Sequence, residues 1–547
     1  MRLRLGVFLA VFATWVALVP ARGAAPCNWP KYGHDQALSF SQTPACSKMS
    51  RVNAALMAPK WYFHGKDSMS ASTTVVDGVL YIGAWDGTMH ALDAATGKKL
   101  WTFNVDDRHQ IGFGRIVSTA AVDTVNVPGA GPVKVLLFGG GGTLYALAPG
   151  RAGARLLAKV DVDPRDAALR AQATREPEIE IESSPLVGHF ASGDRIYVGF
   201  DVHNNAHVGR AGMLSFTLSK ATSGALPYRF DLAFKFDPER QVVLHSLTDG
   251  SGTGCGCGDV WSSPALRQTS STAALLVFGT GNCDHPDQSA AAGEVGREGM
   301  FAIDALTGAM RWQFHPRGVQ DVDDDFGASP NILDGGGAIG EGGKDGWYYK
   351  LNAETGRLIW AAHGGQAGHL QTGFAVGGFI GTTAVGWAGK RPAVFGAVAI
   401  STPIKNTIDQ PLKTQLDTSL ARDPGRLLSL VAMDEQTGKV LWHGPAVPSY
   451  GAVTYSNGVV LIGDTVSFSL DAYDAKTGLP LAVRPVPGPP SAAPVIVGNM
   501  VYLALGTSET DLEFKAFGHG LENLFNGTIG ESPLSPLSGV IAFSLPR

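Results

Sequence analysis

The loop RGVQDVDDDFGASP sets Asp321, Asp323, Asp324 and Asp325 almost side by side. Carboxylates crowded in this way repel one another unless solvent or a cation compensates. A hard ion such as calcium would do so and leave one carboxylate free as a general base; a solvated acidic loop is the plainer alternative. A second stretch able to do chemistry is GCGCGDVWSSP, in which Cys255 and Cys257 stand just ahead of Trp261 in a chain with 5 cysteines. No second close cysteine pair or histidine spacing accompanies them, which argues against zinc. No Cys-x-x-Cys-His occurs in the 547 residues, so covalent haem attachment is not encoded in them.

The elements that must position these groups are written into the repeats of the chain. The segments ALDAATGKKLW (91 to 101), AIDALTGAMRW (302 to 312), KLNAETGRLIW (350 to 360), AMDEQTGKVLW (432 to 442) and AYDAKTGLPLA (472 to 482) share one pattern. Each reads as strand, turn, strand: the flanking alternation has the period of two, and Thr-Gly marks a turn at which glycine accepts positive φ. The final tryptophans, Trp101, Trp312, Trp360 and Trp442, are expected to pack between sheets as structural residues. Spacings of 40 to 50 residues between copies are those of β-propeller blades. Two degenerate copies, beginning at Thr143 and Met213, bring the count to seven blades. The unpartnered strands KWYF (60 to 63) and GVIAFSL (539 to 545) supply an eighth by pairing with each other, which closes the ring and leaves no free edge. The fold class expected is therefore all-β: an eight-bladed propeller of four-stranded antiparallel blades, with insertions between Gly97 and Gly308 and a loop over 401 to 427.

Composition agrees with this. The chain has 70 glycines, close to twice the average share, and only 17% charged residues, which favours tight turns over long solvated helices. A net charge of −5 offers no basic stripe for phosphates, so nucleic acid is excluded as a partner class. At the N-terminus, Arg2 and Arg4 precede the apolar run LGVFLAVFATWVALV and the small residues of ARGAA, the form of a cleaved export signal over 1 to 24. The run is shorter than the roughly 20 residues needed to span a bilayer, so no membrane span is expected after cleavage. Residues 25 to 57 form an N-terminal strap in which Cys27 and Cys46 pair in an oxidising, periplasmic or secreted setting; residues 58 to 547 form the propeller.

The Thr-Gly-x-x-x-Trp repeat, the opening segment NWPKYGHD (28 to 35), and the motifs VWSSP, GTGN and DFGASP together resemble the quinoprotein alcohol dehydrogenases, closest to their polyvinyl alcohol dehydrogenase branch. The resemblance covers nearly the whole chain after the signal. It implies pyrroloquinoline quinone and calcium as cofactors, an alcohol as substrate, and a separate cytochrome-type electron acceptor. It also implies site residues: Trp261 as the floor on which the quinone stacks, Lys344 and Arg115 as its cations, Asn282 as a metal ligand, and Asp323 and Asp325 as metal ligand and base, with a register slip of one or two open. The family's glutamate ligand after the strand RIYVGF is missing. Asn205 or His207 stands there, and Glu182 in ESSP is the candidate substitute; the family's adjacent cysteine pair is absent as well. A competing expectation is a non-catalytic propeller that kept the ring, lost the cofactor and serves as a protein-binding or assembly scaffold. Cysteines two apart on a strand point to opposite faces, so one of Cys255 and Cys257 is expected to bridge to Cys283 and brace Trp261.

Overall fold

The computed structural model describes residues 27–111, 114–165, 170, 178–203, 210–248, 258–281, 298–316, 325–365, 377–399, 429–444, 449–465, 468–506 and 538–546. Its strands form eight antiparallel sheets in chain order around a ring. Seven are single-stretch blades, at 74–104, 121–161, 178–244, 265–314, 331–363, 384–443 and 454–485. The eighth joins the two ends of the fold: Ala58–His64 pairs antiparallel with Gly539–Ser544, Tyr62 opposite Ile541. Seven blades have four strands, and the third has six. The additions there, Glu178–Glu180 and Val242–Leu244, are the insertion expected between Gly97 and Gly308. The 401–427 loop lies outside the described residues, as does the export signal. No helix among the described residues is long and apolar enough to cross a membrane.

The repeat tryptophans lock one blade to the next. Trp312 Nε1 donates to the Ala353 carbonyl at 2.9 Å, and Trp442 Nε1 to that of Ala475 at 3.0 Å. The indole faces lie on the turn glycines of the next repeat, Gly356 and Gly478. Those glycines have φ of +65° and +71°, and a Cβ would stand 2.7 and 2.6 Å from the ring, so both the backbone and the packing require glycine. Trp101 and Trp360 dock likewise on Gly150 and Glu435 carbonyls.

The segment after Cys27 is more than a strap. The Cys27–Cys46 disulfide closes it into a hoop, and the hoop bonds to every blade in blade order. Trp29 exchanges backbone bonds with Val75, Pro30 accepts from Val122, and Gln36 reaches Val187 with its amide and accepts from Leu266. Ala37, Ser39 and Phe40 then accept from Ile332, Val385 and Tyr455, Gln42 Nε2 donates to Ile496, and Cys46 accepts from Gly498. Pairing with seven of the eight blades satisfies hoop backbone that would otherwise be buried unpaired.

Candidate functional site

Within the ring the hoop and the blades line a cavity of about 220 Å³. Trp261 and Lys344 both line it. The Lys344 ammonium stands 2.8 Å from Asp325 Oδ2 and 5.3 Å from the centroid of the Trp261 ring. All three therefore meet, although blade four lies between Trp261 and the other two in sequence. Asp325 is 3% exposed. Trp261 owes its position to glycine: a Cβ on Gly327 would fall 1.6 Å from Trp261 Cη2, so only a bare Cα admits the ring. Beside it, Ser262 Oγ donates to the Gly279 carbonyl and accepts from its N–H at 2.8 and 2.9 Å, holding VWSSP against the GTGN strand.

A second tryptophan, Trp85, lines the same cavity, with Gly114 packed against its ring and its Nε1 bonded to Ser70 Oγ at 3.0 Å. Sequence reasoning passed over it, although the criterion that singled out Trp261, a tryptophan outside the docking repeat, applies equally to WDG at 85–87.

Hydroxyls form much of the polar wall. The N–H of Ala493 bonds to Ser72 Oγ, that of Ser72 to Thr119 Oγ1, that of Thr119 to Ser184 Oγ, that of Ser184 to Ser263 Oγ, and that of Ser263 to Ser329 Oγ, all at 2.8–3.1 Å. Each step crosses from one blade to its neighbour. Each oxygen accepts from backbone; Ser329 also bonds the Tyr32 hydroxyl, and the other four have a proton to direct at an acceptor in the cavity. The hoop adds Tyr32, whose hydroxyl is 2.7 Å from Thr382 Oγ1. A planar carboxylated quinone fits this donor set: aromatic faces, a cation, and many O–H groups.

Oxygen donors suited to a hard cation gather on one side. Glu182 lines the cavity, and Glu180, Asp201 and Asp259 are buried behind it. Burial, then the charges of Asp259, Glu182, Glu180 and Asp325, push the Asp201 carboxyl well above its usual range. Carboxylate oxygens suit calcium in ligand type. Asp201 follows RIYVGF directly, where the sequence reading sought only a glutamate, and so it was missed.

Arg115 is not among the cavity-lining residues. Its guanidinium lies 3.4 Å from Asp107 Oδ1, beside His109. His109, Asp161 and Asp163 stand close enough to share a metal ion. Burial opposes charge on His109, but Asp107, Asp163 and Asp161 outweigh it and raise its pKa to about 10. An imidazolium is no ligand, and Arg165 also pairs with Asp163 at 2.8 Å; the group is an ion-pair network. Asp323, Asn282, Asn205, His207, Cys255, Cys257 and Cys283 lie outside the described residues.

The family model described as "PQQ: Glucose/ethanol/alcohol dehydrogenase, beta-propeller domain" matches residues 29–364. Lupanine 17-hydroxylase [cytochrome c] of Pseudomonas sp. is 26% identical over 386 residues, covering 66% of this chain and 51% of that protein. Quinohemoprotein alcohol dehydrogenase of Comamonas testosteroni is 23% identical over 460 residues, covering 79% and 59%. The chain thus spans about half the length of the curated relatives it matches. Among solved structures, a europium-containing methanol dehydrogenase superposes with a TM-score of 0.65 at 14% identity, covering 95% of this chain and 99% of that one, which shows a common fold. With more than half its length matched by the family model, the chain belongs to the PQQ-type glucose/ethanol/alcohol dehydrogenase β-propeller family.

Proposed function

We propose that this protein is an exported, periplasmic quinoprotein that oxidises an alcohol and passes the electrons to a separate cytochrome. The observation that carries the reading is the meeting of Lys344, Asp325 and the face of Trp261 in a cavity walled by hydroxyl donors. Trp261 would take one face of the quinone, with Lys344 and the hydroxyl ring on its polar edge. Arg115 would reach a quinone carboxylate only after leaving Asp107. Glu182, Asp325, Asp323 and Asn282, with Asp201 in place of the absent glutamate, are the oxygen donors for calcium.

The bound quinone supplies the two-electron acceptor for the hydride from the alcohol carbon, and calcium would polarise its reactive carbonyl. The chain supplies the rest. Asp325 or Asp323 takes the hydroxyl proton as general base. Lys344, 2.8 Å from Asp325, fixes where that carboxylate points. The likeness of VWSSP and DFGASP to the polyvinyl alcohol branch favours a secondary or polymeric alcohol.

Reconstitution of the signal-free protein with pyrroloquinoline quinone and calcium should give alcohol-dependent dye reduction. Asp323→Asn or Asp325→Asn should abolish turnover while quinone binding persists. A calorimetric titration showing no quinone binding to the wild-type protein overturns the reading and leaves the scaffold alternative.

A further inference from the structure

Glu341 takes no part in the chemistry above. It lies in the strand Ala338–Gly342, every residue of which is buried, and is itself 0% exposed. Neither carboxyl oxygen has a hydrogen-bond partner of normal geometry, and the polar group set towards it is the backbone N–H of Ser329. An ionised carboxylate is not held in such a place. Burial pushes the carboxyl well above the usual range, so at neutral pH it is an acid with one O–H to give and one oxygen to accept.

Its two polar backbone neighbours belong to one turn. A Cβ on Gly279 would stand 1.8 Å from the Phe326 carbonyl oxygen and 2.5 Å from Glu341 Oε1, so both oxygens converge on the bare face of that glycine. Phe326 and Ser329 lie on the segment 325–330, which also carries Asp325 beside Lys344 and Gly327 beneath Trp261. Ser329 has φ of +67°. That conformation is unusual for a residue with a side chain and more so before a proline, so its surroundings must hold it.

The geometry points to Glu341 as a positioning residue: a buried carboxyl that grips the 325–330 turn from behind, at the Phe326 carbonyl and the Ser329 N–H, and so sets Asp325 and Trp261 relative to each other. Its effect on turnover rests on the proposed alcohol oxidation; its effect on the turn does not. The titratable groups that feel its charge are Tyr32 of the hoop and Tyr348 of the next strand, both raised by burial and so silent in the acid range.

Glu341→Gln retains a donor and an acceptor, whereas Glu341→Leu retains only volume. In the reconstituted full-length protein, Glu341→Gln should keep kcat within about threefold, whereas Glu341→Leu should lower it on the order of a hundredfold with KM little changed, as expected of a misplaced base. Full turnover in Glu341→Leu overturns the proposal, and so does equal damage in both variants. A readout without cofactor separates this from failure of the alcohol-oxidation reading. The folded acid holds its proton where the unfolded chain has lost it, so wild-type stability falls as pH rises above about 4.3. Glu341→Gln should therefore be more stable than wild type near pH 8 and converge with it near about pH 4. A stability difference that is the same at both values overturns the neutral-acid assignment, whether or not the wild type binds quinone.

Discussion

Gly327→Ala is the smallest change that tests the site. The added methyl would stand 1.6 Å from Cη2, 1.8 Å from Cζ2 and 2.1 Å from Cζ3 of Trp261, against a normal carbon contact of about 3.5–4.0 Å. Gly327 is not in the left-handed region, so its backbone accepts alanine and the whole effect falls on the ring. The indole must retreat by about 2 Å to restore contact distance, and the open side is the cavity it lines. Retreat into space keeps the loss of stability near the low end of overpacking, about 1 kcal/mol. Binding suffers more, because the displaced ring occupies part of a cavity of about 220 Å³ and no longer offers its face. Aromatic stacking of comparable planar rings contributes about 1–3 kcal/mol, which corresponds to roughly a ten- to hundredfold loss of quinone affinity. Thermal melting of the apo-protein and calorimetric titration with pyrroloquinoline quinone measure the two effects separately. Trp261→Phe has a smaller ring that stops short of the clashing atoms, so in the Gly327→Ala background it should recover stability and show coupling between the two sites. Wild-type affinity and melting in Gly327→Ala would refute the reasoning, as would strict additivity in the double variant.

Two further outcomes follow from groups outside the cavity. Reducing the Cys27–Cys46 bridge opens a loop of sequence separation 19, which by chain entropy removes about 3 kcal/mol; calorimetric melting should fall with reductant in wild type but not in Cys27→Ser, and an unchanged wild-type midpoint counts against the hoop as a clasp. His109 has a folded pKa of about 10, above its unfolded value, so its ion pairs add stability below about pH 6.5 and lose that contribution as pH rises through 10. His109→Gln should flatten the decline over that window by an amount on the order of a few kcal/mol, and denaturant melts showing the same slope in both proteins would contradict the network.

The ring was legible because each blade carries its own local signature. Thr-Gly at a positive-φ turn, alternation on either side and a terminal tryptophan need only a few neighbouring residues to be recognised, and the pairing of 58–64 with 539–544 follows from counting unpartnered strands. The hoop was half legible: its cysteine pair could be read, but backbone bonds to seven of the eight blades leave no side-chain pattern in NWPKYGHDQALSF. Trp261, Asp325 and Lys344 were found through family-like motifs and do meet. Glu341 and Asp201 were not found, since a carboxylate in AIGEG or after RIYVGF reads as the polar face of an alternating strand. Both strands are buried on both faces in the packed ring, a property of the neighbouring blades rather than of the strand itself.

Two kinds of blade contact run through this ring, and they differ in what a substitution at them would disturb. The docking tryptophans join blades through an indole N–H and a glycine turn. Nothing about them faces the cavity, so losing one should weaken the ring and leave the site's chemistry intact. The hydroxyls of Ser72, Thr119, Ser184, Ser263 and Ser329 join the same blades through the atoms that line the cavity. Because each oxygen already accepts a neighbour's N–H, the direction left to its proton is set by blade register. Any slip between blades therefore re-aims the donors, and removing a hydroxyl leaves a buried N–H unpaired at a cost of about 1–3 kcal/mol. At this inner ring closure and ligand recognition rest on the same atoms. The hoop, bonded to all eight blades, is the element placed to keep that register.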